Sequence, residues 1–501
     1  MPRKKVVLTS PVQPIGGCSA NVYGWDKRPA SVRIAMSFLD HPGLSFLRAN
    51  LQCDVLQYPD PMAFAELLRD PPEVLGISFY INESGTALQM AADARRAGVK
   101  QVWAGNYGAY TPEVAREFDQ TFHGWGEEQL ASALGCGLPT GGLVHPEIYG
   151  AIGTNLFPRM MISGLLFTSR GCPWTCSFCQ TPQFYGKPQA VSLEAVDRVL
   201  WTYKSRGVKG INILDENFGT FRTHSNEVIN LLHRYGFRWI ALTRVDTLLS
   251  NFDRWASKGL LGAHLGIESL NQSSLSAAGK RIQQSDSCKL LRTMSQHHMF
   301  VQAFYILGFE QDTVNSIRAD VDALADLDLD LVQVQVLTPY PQTRERESIE
   351  ERFGIYDGDP ARYNSRHLVW NHPNITEMQM RELQLYANSK LASSRRALRT
   401  LAKFAVFGGQ PNVRLAGISL LASTLGGKST ALHRAYADQL ASARTWSRVG
   451  WPPYEEDDAD TTEPARDVAN GSPSTDPPAW KRSLLPTRHK LASHIPLVKR
   501  R

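Results

Sequence analysis

Three cysteines fall within eight residues, Cys172, Cys176 and Cys179 in Arg170-Gly-Cys-Pro-Trp-Thr-Cys-Ser-Phe-Cys. A cubane iron-sulfur cluster has four irons and normally takes four thiolates, so a compact loop that offers three leaves one iron open to a non-protein ligand. The short intervals let one loop wrap a single cluster face, and Gly171 and Pro173 suit the tight non-helical backbone that wrapping demands. Two other readings stay open. A structural zinc site normally wants four closed ligands, and no histidine stands nearby to complete one; unrelated core thiols would need no partner at all.

A second set of reactive groups stands at the ends of apolar runs. Asp215, Glu216 and Asn217 close the run 210–215, Arg244 follows Trp239–Thr243, Glu268 and Ser269 follow Ala263–Ile267, Gly308 follows Val301–Leu307, and Thr338 follows Leu331–Leu337. In parallel barrels ligand groups sit at such strand ends. The alternative for any one of them is helix capping or a salt bridge at a loop.

These groups need a scaffold that brings strand ends together. Gly164–Thr168 leads into the cysteine loop, and the later runs alternate with helical patterns over Leu193–Ser205 and Ser225–Tyr235. Residues 160–345 therefore read as a parallel, partial (β/α)6 TIM-like barrel of six strands, in which ligand groups gather at the carboxyl ends. Residues 1–145 also alternate: Val6–Thr9, Val74–Tyr80, Gln101–Ala104 and Thr121–Gly124 as strands, with Thr86–Ala97 as a helix, a doubly wound α/β domain. Ser78, Gly105, Asn106, Gly108, Gly124, Gly126 and Glu127 lie at or just beyond its strand ends, where glycines permit close approach of a ligand to the backbone. Plain turn glycines are the alternative.

Residues 346–450 read as mainly helical and are expected to cap the barrel mouth; Tyr340, just before them, and Tyr356, Tyr363 and Trp370 are aromatics that pack in the core or, as the family resemblance given below implies, line a substrate site. The amphipathic stretch Val413–Leu425 reads as a packed helix, and residues 451–501, acidic then basic and rich in proline, as a disordered tail. At 501 residues the chain is too long for one ordinary core. Its net charge of +6 gathers into no single stripe, so no nucleic-acid partner is expected. No apolar run approaches the roughly 20 residues that span a bilayer, and Val6–Leu8 is too short for a signal peptide, so the expectation is a cytoplasmic protein. Cys18, Cys53, Cys136 and Cys288 are scattered and imply no disulfide framework.

The cysteine run resembles the cluster motif of the radical S-adenosylmethionine (SAM) superfamily, Cys-x3-Cys-x-aromatic-Cys, with Phe178 at the aromatic position. The resemblance implies a [4Fe-4S] cluster on Cys172, Cys176 and Cys179, SAM bound through its amino and carboxylate groups to the open iron, and reductive cleavage to a 5'-deoxyadenosyl radical. It implies an external electron donor such as flavodoxin or ferredoxin. Asp215-Glu-Asn-Phe resembles the segment that approaches the SAM amino group, Leu242-Thr-Arg-Val-Asp the third strand end with Arg244 toward the carboxylate, and Gly266-Ile-Glu-Ser the fourth-strand motif with Glu268 near ribose or methionine. Tyr305-Ile-Leu-Gly-Phe-Glu looks like the fifth-strand motif beside adenine. Thr338-Pro-Tyr-Pro-Gln-Thr resembles the sixth-strand turn, with Gln342 where the family often has glycine.

Gly76-Ile-Ser-Phe, Ala104-Gly-Asn-Tyr-Gly-Ala-Tyr-Thr-Pro-Glu and His123-Gly-Trp-Gly-Glu-Glu are similar to the cobalamin-binding domain that precedes many radical SAM cores. The Asp-x-His-x-x-Gly signature is absent, since Asp40-His41-Pro42-Gly43 has the wrong spacing. Together the resemblances imply cobalamin-dependent methylation of an unactivated carbon in a small-molecule or natural-product substrate. The alternatives within the same family are radical cyclisation, rearrangement or oxidation; outside it stands a non-catalytic electron-transfer or scaffold protein.

Overall fold

The computed structural model describes residues 5–13, 35–51, 53–154, 157–327, 329–391 and 399. Cys18, the stretch 413–425 and the tail 451–501 lie outside the described residues. Met1–Ser447 forms one compact unit; Arg448–Arg501, the other, is also outside them. In chain order the strands are β1 (Val6–Thr9), β2 (Ala35–Leu39), β3 (Asp54–Leu56), β4 (Val74–Ser78), β5 (Gln101–Gly105), β6 (Gln120–Phe122), β7 (Tyr149–Thr154), β8 (Phe157–Leu166), β9 (Ser169–Arg170), β10 (Gln189–Ala190), β11 (Gly210–Ile213), β12 (Arg238–Thr243), β13 (Leu260–Glu268), β14 (Phe300–Leu307) and β15 (Leu331–Val336).

The first sheet is parallel, in the order β3-β1-β4-β5-β6. Side-chain alternation along β1 builds its two faces: Val7 packs with Phe64, Leu75, Ile77 and Met90 on one side, while Val6 and Leu8 pack with Leu44, Trp103 and Leu130 on the other. Helices Pro61–Arg69 and Ser84–Arg96 therefore cover one face, and Pro42–Asn50 and Gly126–Leu134 the other. Strand order reverses between β1 and β4, which places a ligand crevice beyond their carboxyl ends. The expected doubly wound sheet is present; β3 is a further strand of three residues.

The second sheet runs β15-β14-β13-β12-β11-β8-β7-β2. Its first six members are parallel and match the six expected barrel strands, whereas β7 pairs antiparallel with β8 and β2 antiparallel with β7. The open barrel thus carries a two-stranded extension, one strand of which comes from the first 145 residues. Helices Leu193–Ser205, Arg222–Tyr235, Gln284–Gln296 and Val314–Asp326 bury Val199, Leu232, Leu291 and Val321 against its outer face. Helix Glu377–Leu391 joins the same core through Met380, Leu383 and Ala387.

Candidate active site at the cysteine loop

Strands β9 and β10 pair antiparallel and close the base of the loop that carries the three cysteines. Gly171 begins it at φ +85°, where a Cβ would stand 3.1 Å from both Pro188 Cα and Tyr185 Cβ; only glycine takes this turn without strain. Ser177 N donates to the Ala278 carbonyl at 3.0 Å, Gln180 Nε2 to the Pro341 carbonyl at 2.9 Å, and Glu345 N to the Ser177 carbonyl at 3.1 Å. The Ser177 hydroxyl donates to the Glu345 carboxylate and Arg344 to the Thr175 carbonyl. The loop is thus tied to the segment after β13 and to the turn after β15.

Cys176 is buried and Cys172 and Cys179 are half-buried. Burial pushes the Cys172 thiol up to about 11, with Cys179 and Cys176 adding in the same direction, and pushes the Cys179 thiol upward, with Cys176 adding. Soft thiolate donors suit iron-sulfur ligation. Among the described residues no three His, Cys, Asp or Glu side chains are placed to share one metal ion.

Above the loop a cavity of about 350 Å³ opens among the strand ends, lined by Phe178 of the loop and by Glu216, Arg244, Glu268, Lys280, Gln335, Thr338, Tyr340 and others. Glu216 accepts from Gly171 N at 2.9 Å, and burial raises its carboxyl to about 7. Glu268 sits where β13 slips register between Gly266 and Glu268; its backbone is left-handed at φ +65°, and its carboxylate pairs with Lys280 Nζ at 2.7 Å. A non-glycine residue in that region is strained, and the strain stands on the cavity wall.

Sequence order alone did not separate cavity residues from those that hold the wall. Asp215, beside Glu216, turns away: it accepts from Thr168 N at 2.6 Å, Thr168 Oγ1 at 2.6 Å and Ser169 Oγ at 2.7 Å, and burial raises its carboxyl to about 6. Asn217 Oδ1 accepts from Arg244 N at 3.0 Å, fixing the end of β12. Ser269 Oγ accepts from Asn271 N at 3.0 Å, and Gly308 N donates to Asp312 Oδ2 at 3.0 Å. Arg244 lines the cavity, yet its fork is engaged, with Nε and Nη2 each donating to Asp246 at 3.0 Å. Trp370 and Tyr363 are core side chains, 0 % and 3 % exposed. Lys280 carries no motif, and only its place after Gly279, beyond the fourth barrel strand, marks it.

The glycine-lined edge of the first sheet lies against this loop. Tyr107 stacks on Phe184 at 4.2 Å between centroids, and its hydroxyl meets Thr181 Oγ1 at 3.2 Å. A Cβ on Gly108 would strike Phe79 at 2.3 Å and one on Gly124 the Phe184 carbonyl at 2.8 Å, so internal packing accounts for both glycines. Glu127 pairs with Arg170 at 2.8 Å. Gly105 has room: a Cβ there would meet only the Phe122 carbonyl, at 3.8 Å. Asn106 follows it at φ +70°, and Gly126 begins helix Gly126–Leu134. Ser78 Oγ lies 3.4 Å from His41 Nε2, while His41 Nδ1 accepts from Leu44 N at 3.2 Å as a helix cap, so both ring nitrogens face protein. Gly105 leaves open space at this edge beside Ser78 and Asn106, whereas Gly108, Gly124 and Glu127 serve the junction.

Residues 166–324 match the family model of the radical SAM superfamily. The chain is 26 % identical over 217 residues to bacteriochlorophyllide d C-12(1)-methyltransferase of Chlorobaculum tepidum, a match covering 41 % of this chain and 46 % of that protein. It is 33 % identical over 119 residues to hopanoid C-3 methylase of Methylococcus capsulatus, 23 % of each chain. The match therefore spans less than half the length of either relative. The fold is shared with the radical SAM methyltransferase TsrM of Kitasatospora setae, whose structure has cobalamin and a [4Fe-4S] cluster bound: TM-score 0.57, 15 % identity, 84 % of this chain and 99 % of that one. No helix among the described residues is long and apolar enough to cross a membrane.

Proposed function

We propose that this chain, which carries a radical SAM domain at residues 166–324, uses a [4Fe-4S] cluster and SAM with cobalamin to methylate an unactivated carbon of a small-molecule or natural-product substrate. The observation that carries the reading is the cysteine loop, whose Phe178 lines a cavity with the charged groups Glu216 just after β11, Glu268 at the end of β13 and Lys280 beyond the helix Gln272–Ala277 that follows β13.

Cys172, Cys176 and Cys179 would hold the cluster, which when bound supplies the electron that cleaves the SAM sulfonium; an external protein such as flavodoxin or ferredoxin would deliver that electron. The chain's own contribution is placement. Glu216 receives the SAM ammonium, Lys280 and Glu268 present a cation and an anion to its remaining polar groups, and Thr338 borders the far wall. Phe178, Leu242, Phe304, Ile306 and Leu337 exclude water from the space between. Cobalamin would lie along Ser78, Gly105 and Asn106, a placement supported by the open space at Gly105 and by the fold shared with TsrM. The methylase and methyltransferase names of the matched relatives favour methyl transfer.

The test is the low-temperature electron paramagnetic resonance (EPR) spectrum of anaerobically reconstituted, dithionite-reduced protein with and without SAM. A four-iron signal that SAM reshapes, together with a methyl-deuterated product from labelled SAM, is expected. A signal indifferent to SAM makes the chain an electron-transfer or scaffold protein, and SAM cleavage without label in product makes it a cyclase, mutase or oxidase.

A further inference from the structure

We infer that Arg244 is a positioning residue for the cluster, raising its reduction potential, and is not a ligand of SAM. The inference rests on the reading that Cys172, Cys176 and Cys179 hold a cluster.

The guanidinium is spent on protein. Its Nε and Nη2 donate to the two oxygens of Asp246, each at 3.0 Å, which occupies the edge that would otherwise grip a carboxylate. Nη2 also donates to the Lys280 carbonyl at 2.6 Å, and Nη1 faces Cys176 Sγ at 3.9 Å. The indole of Trp174, within the cysteine loop itself, covers the guanidinium face at 4.0 Å. The Arg244 backbone N is fixed by Asn217 Oδ1. Of the five N–H donors of an arginine, those on Nε and Nη2 and one on Nη1 are directed to these partners.

The consequence is electrostatic. Reduction adds one electron to a cluster held by thiolates, breaks no bond and moves no proton; a cation and an N–H donor at one of the sulfurs favour the more negative reduced form. Asp246 opposes this only in part, since its side chain is 33 % exposed and screened by water while that of Arg244 is 6 % exposed. It shares the orienting of the guanidinium with the Lys280 carbonyl and the Trp174 face. The two loops that meet here, one with the cysteines and one after β12, are thereby fixed in the relation that sets the potential.

An EPR-monitored redox titration of reconstituted protein, reduced stepwise with dithionite, tests the inference in Arg244→Gln. The reduced-to-oxidised ratio at a fixed solution potential is expected to fall about tenfold, a midpoint shift of about 59 mV for one electron. The SAM concentration that half-saturates the spectral change is expected to stay as in the unsubstituted protein. An unchanged midpoint overturns the inference, and so does a tenfold rise in the half-saturating SAM concentration, which would make Arg244 a SAM ligand. If Arg244→Gln holds no iron, Asp246→Asn leaves the guanidinium less neutralised and is expected to raise the midpoint; no rise overturns the inference. A failure of the unsubstituted protein to give any cluster signal overturns instead the functional reading beneath it.

Discussion

Glu127 and Arg170 form an ion pair at 2.8 Å with side chains only 2 % and 10 % exposed, and it joins the first turn of helix Gly126–Leu134 to the residue that precedes Gly171 and Cys172. The Arg170 guanidinium also lies 3.9 Å over the Phe46 ring and 4.5 Å over that of Trp125. The edge of the first sheet thus holds the entrance to the cysteine loop.

Glu127→Ala leaves the Arg170 charge buried without its partner and is expected to cost about 3–5 kcal/mol. Replacing both residues together, Glu127→Leu with Arg170→Met, is expected to cost less than the single change, because no charge is then stranded. Urea-unfolding midpoints of the single and double variants check this; a double variant weaker than the single one refutes it.

Glu216 gives a pH dependence with a definite sign. Its carboxyl rises from 4.5 to about 7 on burial, so the fold favours the protonated form, and its contribution is full below pH 4.5 and lost as pH rises through 7. The difference is worth about 3 kcal/mol. Relative to the unsubstituted protein, Glu216→Gln is therefore expected to gain stability as pH goes from 4.5 to 7, measured without SAM. If the carboxylate receives the SAM ammonium, SAM affinity rises about tenfold per pH unit up to 7 and then levels, which an EPR titration at several pH values reads directly.

Gln342 occupies the left-handed region at φ +62° in the turn after β15. A side chain there costs about 1–2 kcal/mol, and glycine's greater loss of freedom on folding returns about 0.5–1 of it. Gln342→Gly is expected to stabilise the protein by about 0.5–1 kcal/mol in urea unfolding.

Tyr107 separates packing from hydrogen bonding at the junction of the two sheets. Tyr107→Phe removes only the contact with Thr181 Oγ1 and is expected to cost about 1 kcal/mol, whereas Tyr107→Ala also empties the stack on Phe184 and is expected to cost about 3–5 kcal/mol. Equal losses in the two variants would place the stabilisation in the hydrogen bond.

The six parallel barrel strands were legible because each is a short apolar run ending in polar residues, and parallel strands buried on both faces carry that pattern. Strand β3, with three residues, and β7, Tyr-Gly-Ala-Ile-Gly-Thr, have too little length or apolar content to stand out. The cysteine motif was legible for another reason: its chemistry is encoded in local spacing. Which of two adjacent carboxylates faces the cavity was not, because Asp215 and Glu216 differ only in the side to which each turns in the segment after β11. Nor did any local pattern tell that Arg244 would meet Asp246 and Cys176, or that Glu127 would meet Arg170 across 43 positions.

Strand β2 leaves the chain just after the first strand of one sheet and becomes the outermost strand of the other, before the chain returns to complete the first. The two sheets are interlaced like stitches, so neither can be cut from the sequence as an independent module. A fragment starting at residue 157 would lack β2 and β7 and leave the backbone of β8 unpaired along one side, a template for adding foreign strands. Separation of the chain at the apparent boundary would therefore yield an aggregating half.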